Sequence, residues 1–199
     1  MLETAQNDAE NIINKSDTEL VALTLANQDY FIYIVDRYKK KLWRYVRRLT
    51  NIADEDAEDI LQEVFIKIYY NLNDYDIKLP FSSWIYRIAH NQVISNFRKI
   101  AVRPQGNQTS LDDQAVQNLI SDTDIEKEID LKIINQQINQ ALQKLDPKYR
   151  ELLILKYFEE KNYQEISDIT RRPAGTVASL LNRAKKEFKE QYSRSKKTI

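Results

Sequence analysis

Cysteine is absent from this chain of 199 residues, which excludes disulfides and thiolate metal sites and suits a reducing compartment. Glycine and proline are scarce, at 2 and 4. A chain so poor in turn formers and rich in Lys, Glu, Gln, Ile and Leu points to an all-α protein. No stretch approaches the roughly 20 apolar residues that a membrane span needs. The opening MLETAQNDAENIINKSD has neither a basic start nor an apolar run, so no signal peptide is expected. Net charge is missing too, since 30 Lys and Arg balance 30 Asp and Glu. A hydrophobic content of 42% nevertheless supplies a core and excludes wholesale disorder.

The neutrality is a cancellation between blocks. Arg37, Lys39, Lys40, Lys41, Arg44, Arg47 and Arg48 form a basic run without an acid. An acidic run follows with Asp54, Glu55, Asp56, Glu58, Asp59 and Glu63. A second acidic stretch holds Asp112, Asp113, Asp122, Asp124, Glu126, Glu128 and Asp130. From Lys161 onward ten basic residues face four acids. Fields act over a Debye length of about 8 Å at physiological salt, so a basic end can grip phosphates while a distant acidic face meets another partner. The alternative for each block is a solvated helix face.

Periodicity divides the chain. Residues 1–16 are expected to be a mobile leader and 17–103 a helical domain. Tyr38, Leu42, Tyr45 and Leu49 form one amphipathic stripe; Ala57, Ile60, Leu61, Val64, Phe65, Ile68 and Leu72 form a wider one. After the break NDYDIKLP a third helix reads FSSWIYRIAHNQVISNFRK. Residues 104–130 read as a flexible acidic linker, 131–194 as a second helical domain, and 195–199 as a basic tail. In the second domain Ile134, Ile138, Ala141 and Leu145 restore the period. Asp146 with Pro147 is a helix start, as N-cap and first helical residue.

Three segments carry candidate chemistry. In NYQEISDITRRPAGTVASLLNRA, Asn162 and Glu165 predict a capping box ahead of a short helix, TRRP a turn, and Pro173 the opening of a second helix. Val177, Leu181, Ala184 and Phe188 share one face; Ser179, Asn182, Arg183 and Lys186 lie opposite, at spacings suited to base edges and phosphates. An ordinary helical hairpin with a solvated face is the other reading. In DAEDILQEVFIKIYYNL the apolar stripe leaves Asp59, Gln62 and Glu63 together, a carboxylate-amide patch for an arginine-bearing helix to dock against. Metal or acid-base chemistry there has little support, because His90 is the one histidine and no activated nucleophile is evident; a plain soluble face stays open. Tyr69, Tyr70, Tyr75, Phe81, Trp84, Tyr86 and Phe97 interleave with Lys78, Arg87, His90, Arg98 and Lys99, as single-stranded nucleic acid requires for stacking and phosphate pairing. Trp84, Ile85, Ile88 and Phe97 are expected partly in the core, and His90 on the surface.

In this order the segments resemble the extracytoplasmic-function (ECF) sigma factors of the sigma-70 family, over about Asp17 to Tyr192. DAEDILQEVFIKIY is similar to that family's polymerase-binding helix, FSSWIYRIAHNQVISNFRK to its promoter-melting and −10-reading segment, and NYQEISDITRRPAGTVASLLNRAKKEF to its −35-reading helix-turn-helix. The resemblance implies that Asp59, Gln62 and Glu63 dock on the β′ clamp helices of core RNA polymerase. It implies −10 contacts from Asn73, Asp74, Tyr75, Lys78, Trp84, Arg87, Asn91 and Arg98. At −35 it implies contacts from Arg171, Arg172, Thr176, Ser179, Asn182, Arg183 and Lys186, with Arg171 and Arg172 near phosphates. It further implies the polymerase β flap and an anti-sigma factor as candidate partners, a linker threading the RNA exit path, no cofactor or metal, no enzymatic activity, and the bacterial cytoplasm as the place of action. Arg171 and Arg172 stand where the family usually has a glycine and an apolar residue. Ala178 and Leu180 replace two common basic residues, and Ser95 a common Asp. A stand-alone helix-turn-helix regulator is the competing reading, and a metal-dependent hydrolase a remote one.

Overall fold

The computed structural model describes residue 12 and residues 14–102 and 125–196. Most of the expected leader, the linker over residues 104–124 and the end of the basic tail lie outside these. Among the described residues all regular structure is helical, with eight α-helices and no strand. They group into two compact units, one centred on the helices from Asp17 to Val102 and the other on those from Ile125 to Lys196. The all-α, two-domain expectation holds.

The first unit begins with α1 (Asp17–Ala26), whose N-cap Ser16 forms a capping box with Glu19. A 3-10 turn (Gln28–Tyr30) leads into α2 (Phe31–Thr50), followed by α3 (Asp54–Tyr70), a second 3-10 turn (Leu72–Asp74) and α4 (Phe81–Val102). The predicted stripes are buried apart from half-buried Phe65: Tyr38, Leu42, Tyr45 and Leu49 on α2, Ala57, Ile60, Leu61, Val64 and Ile68 on α3, and Leu72 in the turn after it. Phe81, Ile85, Ala89 and Val93 bring the apolar face of α4 to the same core, with α3 packed on α4. Each fully buried aliphatic side chain contributes about 1.5–3 kcal/mol relative to exposure.

His90 departs from the expectation of a surface side chain. It is 7% exposed, and its Nδ1 lies 3.2 Å from the Tyr45 hydroxyl. The imidazole falls on the buried side of α4 beside Ala89, and a polar group is tolerated there because it is hydrogen-bonded.

Polar contacts lock α1 onto α2. Arg37 donates from Nη1 to Asp17 Oδ1 at 2.8 Å and from Nη2 to the Lys15 carbonyl at 2.7 Å. The Tyr38 hydroxyl donates to Asp17 Oδ2. Burial first, and then that bond to Asp17, push the Tyr38 phenol far above its ordinary range. It therefore stays protonated and serves as a donor.

The second unit holds α5 (Ile125–Gln143), α6 (Pro147–Tyr157), α7 (Tyr163–Thr170) and α8 (Ala174–Lys196). The first of these begins inside the stretch expected as linker. Ala141 and Leu145 are buried as their spacing predicts, whereas Ile138 is half-buried and Ile134 is 41% exposed; Leu142 is buried beside them. Arg150 closes the end of α5, donating to the carbonyls of Leu142, Gln143 and Leu145 at 3.0, 2.7 and 3.2 Å. A cation there meets the negative end of the helix dipole and its unpaired carbonyls. Asp146 caps α6 as predicted, accepting from the Lys148 amide at 2.9 Å. Leu152, Leu153, Ile154 and Leu155 bury that helix on most of its circumference, and α8 packs against both α5 and α6.

The Asp17 cluster gives a direct test. Asp17→Ala removes the acceptor for two part-buried donors and is expected to lower stability by about 2 kcal/mol. Urea unfolding measures this, and an unchanged midpoint would show that the cluster contributes nothing net.

Candidate protein and nucleic-acid interfaces

The acidic helix α3 presents two faces set by its stripe. Ala57, Ile60, Leu61, Val64 and Ile68 face inward, while Asp59, Gln62 and Glu63 are exposed together. Asp54, Glu55 and Asp56 occupy the first turn, where carboxylates oppose the positive end of the dipole. Asp54 also forms an ion pair with Arg47, Nε to Oδ1 at 2.8 Å, so the basic and acidic runs partly neutralise each other. Lys39, Lys40, Lys41 and Arg44 remain exposed along α2.

The segment between α3 and α4 is a compact loop built on rings. Tyr75 donates from its hydroxyl to the Leu79 carbonyl at 2.6 Å, and its ring lies 4.9 Å from Phe81 and 5.7 Å from Trp84. Phe81 and Trp84 stack at 5.6 Å, with Tyr38 edge-on to Phe81 at 6.0 Å. Trp84, expected to meet −10 DNA, is only 5% exposed. A ring enclosed in this way has no face to offer a base, so Trp84 is corrected to a support of the loop. Asn73, Asp74 and Lys78 are exposed on the loop and Asn91 on α4, with Arg87 half-buried. The Arg98 side chain lies outside the described ones. Ile77, 67% exposed at the loop tip, is a feature that the aromatic-and-cation pattern passed over.

Helices α7 and α8 form a helix-turn-helix. Asn162 Oδ1 accepts from the Glu165 amide at 2.9 Å, and the Glu165 carboxylate accepts from the Asn162 amide at 2.8 Å, completing the predicted capping box. The turn residue Arg171 has φ 54 and ψ 40, the left-handed conformation that a glycine adopts without strain. On α8 Val177, Leu181 and Ala184 are buried and Phe188 is half-buried, stacked on Tyr192 at 5.8 Å. Thr176, Ser179, Asn182, Arg183 and Lys186 are all exposed.

Arg172 departs from the expectation of a phosphate contact. Its Nη1 donates to Oε1 of Glu151, which is 3% exposed on α6, and its carbonyl accepts from Ser167 Oγ at 2.6 Å. A buried carboxylate must be paired to stay charged, so this guanidinium is tied to Glu151, while its side chain stays 30% exposed. Burial pushes the Glu151 carboxyl up from its ordinary 4.5, and Arg172 opposes that rise. The apolar residue usual at position 172 in the resembled family would leave Glu151 without that partner.

Two helical units, the second closed by a helix-turn-helix with an exposed polar face, define a class: helical proteins equipped for duplex DNA and carrying a separate acidic surface. The chain matches Sigma-70 region 2 over residues 34–103 and the family described as Sigma-70, region 4 over residues 135–188. It is 34% identical over 172 residues to the ECF RNA polymerase sigma factor SigW of Bacillus subtilis, across 83% of this chain and 90% of that protein. It is 29% identical over 159 residues to the RNA polymerase sigma-H factor of Pseudomonas aeruginosa, across 78% and 82%. Among solved structures it resembles CnrH, in complex with the cytosolic domain of CnrY, with TM-score 0.65 and 21% identity across 90% of this chain and 99% of that one. It also resembles the sigma factor RpoE of Bartonella quintana, in complex with the anti-sigma factor NepR, with TM-score 0.61 and 19% identity across 82% and 96%. At these identities the two structures bear on the fold. The chain therefore belongs to the ECF sigma factors of the sigma-70 family. Its function is that of an RNA polymerase sigma factor, with core polymerase and promoter DNA as partners at transcription initiation.

The turn makes two predictions. Arg171→Gly relieves the positive φ and is expected to raise stability by about 0.5–1 kcal/mol in urea unfolding, the greater freedom of unfolded glycine offsetting part of the gain. Arg172→Ala removes the Arg172 charge from the buried Glu151 carboxylate and is expected to cost about 2 kcal/mol at neutral pH. Without Arg172 the folded carboxyl rises further above its unfolded 4.5, so the native state binds its proton more tightly than the unfolded state. The deficit then shrinks as pH falls toward that unfolded value. A deficit independent of pH between 7 and about 4.5 would refute the assignment.

Proposed function

We propose that this sigma factor divides its work among the three surfaces, with no chemistry of its own. Asp59, Gln62 and Glu63 dock α3 on the basic β′ clamp helices. The residues of 17–103 capture the opened −10 strand, with Asn73, Asp74, Lys78, Arg87 and Asn91 offering donors, acceptors and charge, and Arg98 following on α4. Half-buried Tyr75 joins them, and Trp84 supports the loop between α3 and α4. Arg171, Thr176, Ser179, Asn182, Arg183 and Lys186 meet the −35 duplex, phosphates setting register and base edges giving specificity. Residues 104–130 form the acidic tether through the RNA exit path, and residues 131–194 carry the −35 reader and lean on the β flap. The protein acts as a recruited subunit, not an enzyme, in the bacterial cytoplasm. No helix among the described residues is long and apolar enough to cross a membrane. An anti-sigma factor is a further partner by analogy with the solved RpoE complex.

The observation that supports this reading best is the co-facial exposure of Asp59, Gln62 and Glu63 over a fully inward apolar stripe. A soluble helix needs no such grouping of two carboxylates and an amide, whereas a basic helical partner is well matched by it.

The purified chain is expected to co-elute with core RNA polymerase in gel filtration, and the variant Asp59→Ala, Gln62→Ala, Glu63→Ala to elute apart from it. Co-elution that survives all three substitutions would sink the docking assignment. No co-elution by the wild-type chain would overturn the whole reading.

A further inference from the structure

Gln92 lies on α4 next to Asn91, on the side turned to α3, and is 2% exposed. An amide in such a place costs stability unless both of its ends are bonded, and an apolar residue would serve the core better. Both ends are bonded, and to charges. Its Nε2 donates to Oε2 of Glu63, and its Oε1 accepts from the Lys67 ammonium, one helical turn further along α3. Nε2 also lies 3.4 Å from Asn96 Oδ1.

We propose that Gln92 is a positioning residue for polymerase docking, holding the Glu63 carboxylate in its docking pose and keeping Lys67 off it. This rests on the reading of Asp59, Gln62 and Glu63 as the docking patch. A glutamate followed four residues later by lysine is the favoured order for a direct helical ion pair. Left alone, Lys67 would fold onto Glu63 and neutralise the charge that the polymerase needs. The buried amide inserts between them, as donor to one and acceptor from the other. Oε2 of Glu63 is then anchored from the protein side, on a residue that remains exposed. An anchored carboxylate loses less rotamer freedom on binding than a free one. The amide also ties the docking helix to the residue following Asn91, so the polymerase surface and the proposed −10 surface share one buried side chain.

The test is a double-mutant cycle on affinity of the full chain for core polymerase, with wild type, Gln92→Met, Glu63→Ala and the double variant. Gln92→Met keeps length and shape while removing both bonds. It is expected to weaken binding about three- to tenfold in the wild-type background, with no further loss when Glu63→Ala is already present. Gln92→Leu repeats the measurement should the methionine variant lack helical circular dichroism. Adding Lys67→Ala to Gln92→Met is expected to regain part of the affinity, which a purely structural glutamine would not allow. An equal loss in both Glu63 backgrounds, or no loss in the first, overturns the proposal while leaving the docking patch standing. Wild-type affinity in Glu63→Ala itself removes the docking reading, and the role of Gln92 with it.

Discussion

The inward stripe of α3 is the constraint on which the rest of the first unit depends. Ala57, Ile60, Leu61, Val64 and Ile68 must leave water together, and α4 supplies the surface that receives them. Once that packing is set, rotation of α3 is fixed by the 3.6-residue repeat, and Asp59, Gln62 and Glu63 are turned outward as a group. The same packing brings Gln92 under Glu63 and Lys67. The polar surface is thus a consequence of the apolar one.

The helix-turn-helix is organised by a different device. Its short α7 has few residues to bury, so local chemistry does much of the work: a reciprocal capping box at one end and a left-handed residue at the other. Arg171 adopts that conformation without the ease of a glycine, and its neighbour Arg172 reaches back to Glu151 in the buried part of α6. The turn is therefore fastened to the core by a charge pair where small or apolar residues would rely on backbone freedom and packing.

A sigma factor meets promoter DNA and core RNA polymerase, and the charges of this chain divide between internal pairs and exposed faces. Some are paired internally, as in Arg37 with Asp17 and Arg47 with Asp54. Others remain exposed: Lys39, Lys40, Lys41 and Arg44 along α2, the carboxylates of α3, the cations of α8. Salt screens exposed charges beyond about 8 Å, so a net charge of zero does not require each exposed face to be neutral.

Much of this is legible in the order of the residues. The buried stripes of α2 and α3, the caps at Asp146 and Asn162, and the two faces of α8 follow from periodicity and capping chemistry, which act between residues a few positions apart. What the sequence does not disclose depends on partners far along the chain. Trp84 reads as a stacking platform and is enclosed by Phe81 and Tyr75. His90 reads as a surface residue and is buried at the Tyr45 hydroxyl. Arg172 reads as a phosphate ligand and is held by Glu151. Gln92 carries one hint, a polar residue on the stripe of Ile85 and Ala89, yet nothing local names Glu63 and Lys67 as its partners. The sequence by itself determined the helices, their apolar faces and the order of the three motifs, because those are set by local repeats. Tertiary structure alone decided which polar side chains are paired inside and which stay exposed, because a hydrogen bond or ion pair depends on distances that only the packed fold establishes.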